Sequence, residues 1–269
     1  MVKRAIGVFD SGVGGLTVLH AVMQALPDED LNYLGDTARV PYGTKSPPTV
    51  IRYALEAAAF LAGEGAKALV VACNTASSVA LPALADRYSL PVIGVIEPGA
   101  QAAVTASRSG CIGVIGTEAT IASGAYVRAI QSLDPAARVQ TMACPLFVPL
   151  VEEGWAGHAI AEMAAQEYLA SLRRAGIDTL VLGCTHYPLL KETLRRVLGP
   201  EVTLVDSAEE TARTLRGMLE NRQLRRDRGP AQYRFFVTDV PDRFERVGRA
   251  FLGEPLKDVL QVRLDGELS

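Results

Sequence analysis

The chain has 269 residues, 49% of them hydrophobic, enough apolar material for one large domain or two of ordinary size. Its 27 Lys and Arg nearly offset 30 Asp and Glu, and a formal net charge of -3 creates no overall field that would draw nucleic acid or acidic lipid, so the expected partner is a small molecule. Four cysteines, at 73, 111, 144 and 184, lack C-x-x-C spacing, and the opening MVKRAIGVFD has neither the apolar core nor the cleavage site of a secretory signal. Reduced thiols in a cytoplasm are expected. No apolar stretch approaches the roughly 20 residues that span a bilayer, so no membrane segment is expected.

In chain order, β-rich apolar runs at 5–9, 31–34, 68–72, 91–95, 111–115, 138–143, 179–182 and 203–205 alternate with stretches of helical composition at 16–26, 49–64, 76–88, 159–174 and 189–198. This alternation predicts an α/β fold with mostly parallel sheets and helices on both faces. Beyond a polar break at 223–230, a strand over 233–238 and a helix over 242–252 are expected. The arginines of that break, beside an acidic group at a turn, read as solvated surface and receive no function.

An internal echo carries more information. Ala5-Ile6-Gly7-Val8-Phe9-Asp10-Ser11 resembles Cys111-Ile112-Gly113-Val114-Ile115-Gly116-Thr117, and Ala68 to Thr75 resembles Thr179 to His186 at nearly the same spacing. One buried parallel strand looks much like another, so either echo alone is weak. Two in the same order predict two similar three-layer domains related by pseudo-twofold symmetry, 1–96 and 97–206, with the active site in the cleft between them. The segment 207–269 is expected to pack back on the first domain.

Ligands of open parallel sheets bind at the carboxyl ends of the strands. Four polar motifs fall there: Asp10-Ser11-Gly12, Cys73-Asn74-Thr75, Gly116-Thr117 and Cys184-Thr185-His186. Their hydroxyls, amides and exposed backbone N–H groups favour an anionic ligand such as a carboxylate. A free cysteine is usually an inert small hydrophobe, and Cys111 and Cys144 are read so. Cys73 and Cys184 differ because each ends an apolar strand where a helix is expected to open, and a helix N-terminus favours the thiolate and a modest lowering of its pKa. At matching places in duplicated halves they would face one another across a shared cleft. Such a pair suits removal of a proton from one face of a carbon and delivery to the other. Asp10 and His186 could each tune one thiol, although Asp10 alone reads equally well as a helix cap and His186 as a structural histidine. Gly12-Val13-Gly14-Gly15 fits no phosphate-loop pattern and is read as close backbone approach, and the histidine and cysteine spacing does not suit zinc.

These residues bring the chain close to a known family. Phe9 to Gly15, Gly35 to Gly43, Ala72 to Ala76, Pro145 to Gly154 and Leu182 to Pro188, five ordered motifs spread over nearly the whole length, resemble those of the glutamate racemases of the aspartate/glutamate racemase superfamily. The resemblance implies cofactor-independent interconversion of L- and D-glutamate, with no metal. Cys73 and Cys184 would be the two bases, one for each enantiomer, assisted by Asp10 and His186. Glu152 would support the His186 side, a role that comes from the resemblance only, since spacing does not select it over Glu153. The resemblance further implies substrate contacts from Asp10, Ser11, Tyr42, Gly43, Asn74, Thr75, Thr117, Thr120, Thr185 and His186. In the wider superfamily the second cysteine motif often continues with an acidic residue, so His186 favours glutamate over aspartate. A homodimer, and supply of D-glutamate to peptidoglycan, are implied as well. The alternatives are a racemase of aspartate or another small acid, and a non-catalytic thiol or ligand-binding protein.

Overall fold

The structure, a computed structural model, describes residues 5–226 and 229–264. The first run of elements is β1 (Ile6–Asp10), α1 (Leu16–Ala25), β2 (Leu31–Gly35), α2 (Pro47–Gly63), β3 (Ala68–Val71), α3 (Asn74–Arg87) and β4 (Val92–Gly94). The second is α4 (Ile96–Ala106), β5 (Cys111–Gly116), α5 (Glu118–Ala122), α6 (Ala125–Leu133), β6 (Arg138–Ala143), α7 (Phe147–Glu152), α8 (Ala159–Arg174), β7 (Thr179–Gly183), α9 (Lys191–Leu198) and β8 (Thr203–Asp206). Then come α10 (Ser207–Asn221), β9 (Tyr233–Val237), α11 (Pro241–Leu252) and β10 (Val259–Gln261).

The strands form two wholly parallel sheets, β10-β9-β2-β1-β3-β4 and β6-β5-β7-β8. The α/β class with two parallel sheets is therefore as the alternating pattern required. β1, β2, β3, β5 and β7 are buried at every residue, which is why they read as unbroken apolar runs rather than alternating ones. In the first sheet Ile6, Val8 and Val70 point into a core shared with α1, α10 and α11, while Phe9, Leu69 and Val71 point the other way, among Ala54, Leu61 and Ala80 of α2 and α3. The second sheet repeats this layering. Ile115, Leu180 and Leu182 join the core with α8 and α9, and Ile112, Val114 and Val181 pack with α4 and α6.

The echo in the sequence is a repeat of pairing. Without β9 and β10, the first sheet has the order β2-β1-β3-β4, matched strand for strand by β6-β5-β7-β8. The register repeats too: Ile6 lies opposite Ala68, and its counterpart Ile112 lies opposite Thr179. This places Cys73 and Cys184 at equivalent strand ends.

The segment after β8 is more structured than its charge suggests. In α10 the buried residues Ala208, Ala212, Leu215 and Leu219 recur at helical spacing and lie against α1 and α4. β9 then pairs with β2, α11 packs on α1, and β10 pairs with β9. The polar break is not all solvated surface: Arg226 is ion-paired to Asp30, and its N–H donates to Glu29. Asp227 and Arg228 of that cluster lie outside the described residues.

Candidate active site

The carboxyl ends of β1, β3, β5 and β7 converge on one cavity. Eleven of the thirteen site residues expected from the sequence line it. Ser11, Tyr42, Gly43, Cys73, Asn74 and Thr75 come from the first half, and Thr117, Glu152, Cys184, Thr185 and His186 from the second. Gly12, Val40, Pro41 and Val148 complete the wall. Asp10 and Thr120 stand one layer behind. Both sulfurs therefore belong to one cavity and not to separate pockets.

Close packing between the halves depends on glycine. A Cβ on Gly14 would lie 2.5 Å from His186 Nδ1 and closer still to Thr185 Oγ1. One on Gly43 would lie 2.7 Å from Thr117 Cβ. The reading of Gly12 to Gly15 as close backbone approach is thus correct: Gly14 approaches the other half, while Gly12 meets Val40 and Gly15 meets Asp10 and Tyr33 of its own half. Tyr42 starts a short 3-10 turn, Tyr42–Thr44, and its hydroxyl donates to Asp36, which also holds Arg39 at 2.7 Å. Together these contacts anchor the segment carrying Tyr42 and Gly43.

Cys73 is the N-cap of α3, 5% exposed, with Sγ 3.7 Å from Ser11 Oγ. The lowered pKa expected at this helix N-terminus is not found. Burial, helped by the nearby Asp10 charge, pushes the thiol up to about 12, while the Ala76 N–H and Ser11 hydroxyl oppose this only in part. Asp10 is itself raised by burial, against the pull of His186 and the N–H groups of Gly12, Gly15 and Ser11. Its Oδ2 accepts the Gly12 N–H at 2.9 Å, and its Oδ1 has no hydrogen-bond partner among the described residues. Since α1 is capped at Gly15, Asp10 is not its N-cap.

Cys184 departs from the expectation in another way. No α-helix opens at it; a 3-10 turn at Tyr187–Leu190 intervenes before α9. Its partner is a side chain: Sγ lies 3.9 Å from His186 Nδ1, and His186 Nε2 lies 3.0 Å from Glu152 Oε1. Burial alone would lower His186, but the contacts with Cys184 and Glu152 outweigh it and raise the imidazole to about 10. Glu152 is held below the usual carboxylate range by its bond to His186, with further help from Arg243 at 2.9 Å. Position on α7 thus separates Glu152 from exposed Glu153, which spacing could not.

Hydroxyls join the halves on the opposite wall. Thr75 Oγ1 is 2.9 Å from Thr117 Oγ1 and 3.1 Å from Thr120 Oγ1, and Thr117, which caps α5, is 2.9 Å from Thr120. The cavity thus offers neutral hydroxyl and amide donors, and among the described residues His186 is its one cationic lining group, with no Lys or Arg. Among the described residues no cluster of three or more His, Cys, Asp or Glu could hold a metal, and no helix is long and apolar enough to cross a membrane. Chemically, the arrangement can bind a small carboxylate and move protons at two sulfurs whose neighbours differ.

Comparison with known proteins points the same way. The model of the Asp/Glu/Hydantoin racemase family matches residues 6–215. A glutamate racemase from Geobacter metallireducens is 58% identical, covering 98% of each chain. Among solved structures, a glutamate racemase isoform from Bacillus anthracis matches with TM-score 0.94 at 42% identity, covering 98% of this chain and 99% of that one. A Francisella tularensis glutamate racemase in complex with D-glutamate matches with TM-score 0.93 at 40% identity, with the same coverage. With the family model spanning most of the chain and relatives of this identity matching along its whole length, the chain belongs to the Asp/Glu/Hydantoin racemase family, among its glutamate racemases.

Proposed function

We propose that the chain interconverts L- and D-glutamate without a cofactor, Cys73 and Cys184 acting as two bases on opposite faces of the α-carbon. The observation that carries this reading is that cysteines at equivalent strand ends of the two repeated halves line one cavity. The thiol that starts as thiolate takes the α-proton, the other delivers its own, and the exchanged pair is poised for the reverse reaction. The two sulfurs are prepared differently. Burial and Asp10 keep the proton on Cys73, whereas a proton held on His186 sets a positive charge 3.9 Å from Cys184 Sγ. Asp10 and His186 assist on the two sides, and Glu152 keeps His186 charged and oriented.

The substrate carboxylates are held by Ser11, Asn74, Thr75, Thr117 and Thr185 with backbone N–H groups, while Tyr42 and Gly43 close the cavity and Thr120 and Asp10 act from behind. Residues 1–96 with 207–269 form one lobe and 97–206 the other. The enzyme works in the cytoplasm as a homodimer, supplying D-glutamate for peptidoglycan, and requires neither nucleic acid nor a membrane as partner.

The test follows circular dichroism of L- and D-glutamate with no added cofactor. Cys73→Ser and Cys184→Ser are each expected to lower two-way racemisation by at least about 10²-fold. Full activity in either variant removes the two-thiol mechanism. Rates on aspartate measured alongside decide the substrate, and a preference for aspartate overturns the assignment to glutamate.

A further inference from the structure

Tyr126 is not among the cavity-lining residues, yet it makes a buried contact with one of them. It sits on α6, in the second half, 2% exposed, and its hydroxyl donates to Asn74 Oδ1 at 2.7 Å, across to the first turn of α3. A phenol has one proton to give. The Ser207 side chain, at the start of α10, is a second polar neighbour of this phenol, whose own proton goes to Asn74. Burial above all holds this phenol well above its ordinary pKa, so the proton stays in place. The surroundings leave no slack: a Cβ on Gly99 would lie 3.2 Å from Tyr126 Oη and 3.1 Å from Ser207 Cβ.

An asparagine amide presents an acceptor at one end and two donors at the other, and only its hydrogen bonds decide which end faces where. With Oδ1 engaged by Tyr126, the Nδ2 hydrogens are the end left for the cavity. That matters more here than in most anion sites, because among the described residues no Lys or Arg lines the cavity, and apart from His186 carboxylate recognition rests on neutral donors. A flipped amide would lose a donor and aim an oxygen at an anionic oxygen.

We propose that Tyr126 is a positioning residue for substrate binding: by holding Asn74 Oδ1 from the opposite half, it turns the Asn74 amide hydrogens toward a substrate carboxylate. The assignment rests on the glutamate reading above. Because the bond reaches from α6 to α3, it also makes the amide's orientation depend on how the two halves are seated.

Tyr126→Phe removes the hydroxyl and keeps the ring. It is expected to raise KM for both enantiomers of glutamate by about tenfold, the cost of one buried hydrogen bond, with kcat changed by less than about threefold. In an Asn74→Ala background the same substitution is expected to add no further rise, since the two residues act as one unit. A merely structural role would lower the melting temperature or the active fraction and leave KM alone; that result, or an equal rise in KM in both backgrounds, overturns the inference. If Tyr126→Phe does not fold, Ser207→Ala decides. A smaller KM rise that vanishes in the Asn74→Ala background supports the inference, and an unchanged KM overturns it. A native protein that does not turn over glutamate overturns the functional reading and this assignment together, whereas native turnover with an indifferent Tyr126→Phe overturns this assignment alone.

Discussion

At His186 two opposing effects act on one ring. Burial disfavours its charge, while Cys184 and Glu152 on either side favour it, and the partners win, raising the imidazole to about 10 from an ordinary 6.5. A proton held more tightly in the folded than in the unfolded chain contributes stability that is complete below about pH 6.5 and lost as pH climbs through about 10. Thermal melts across pH 7 to 10.5 are therefore expected to fall more steeply for the native chain than for His186→Asn; parallel curves would contradict the raised pKa. Glu152→Gln weakens the same hold, and the steep part of the native curve is expected to move to lower pH. How much of this was legible varied residue by residue. Cys73, Cys184, Asp10 and His186 stand out because strand ends place polar residues at the sheet edge. Glu152 does not, since its partner is 34 residues away in the chain and only the placement of α7 beside the 184–186 segment connects them. The direction of the Cys73 shift was misread because a helix N-terminus is visible in a sequence, whereas the burial and the Asp10 charge that outweigh it are not.

At the scale of elements, the loop from β1 to α1 shows why the halves meet where they do. Gly14 touches Thr185 and His186, Thr17 Oγ1 donates to the Thr185 carbonyl at 3.2 Å, and the His186 ring stands edge-on to Phe251 with centroids 5.1 Å apart. Held also by Glu152, this ring has little room to yield. Gly14→Ala is expected to cost about 1–3 kcal/mol of stability through overpacking. Its effect on kcat/KM should be far larger, about 10²-fold, because a displacement of order 1 Å at His186 reaches the reacting sulfur. Comparing melting temperature with activity checks this, and equal, small effects on both would show that the loop tolerates the methyl. The longer Ala- and Leu-rich helices were legible in the sequence, among them α8, found at 159–174 as expected. α4, α5, α6, α7, α10 and the three-residue β10 went unread. α10 hides four buried apolar positions in a charged run, and β10 is too short for any periodicity.

Over the whole molecule, a buried ion pair ties the late segment to the first sheet. Lys67 and Glu29 are paired at side-chain exposures of 6% and 1%, Lys67 Nζ donates to the Leu224 carbonyl at 2.7 Å, and Glu29 Oε1 accepts the Arg226 N–H at 2.9 Å. Breaking such a pair from one side leaves an unpaired buried charge. Glu29→Ala is expected to destabilise the chain by about 3–5 kcal/mol, read as a lowered urea midpoint. A replacement that removes both charges, Glu29→Leu with Lys67→Met, should recover part of that loss, and no recovery would show that the backbone bonds to residues 224 and 226 carry the effect.

By itself, the sequence determined the α/β class, the doubling of the unit and the pairing of two cysteines at matched strand ends. Each of these follows from local composition repeated at a regular spacing, which a linear chain displays directly. Tertiary structure alone decided that β9 and β10 extend the first sheet beyond β2, that Glu152 lies 3.0 Å from His186, that burial raises the Cys73 thiol, and that Tyr126 reaches Asn74. These depend on burial and on contacts between residues far apart in the chain, and neither is set by the neighbours of a residue in sequence.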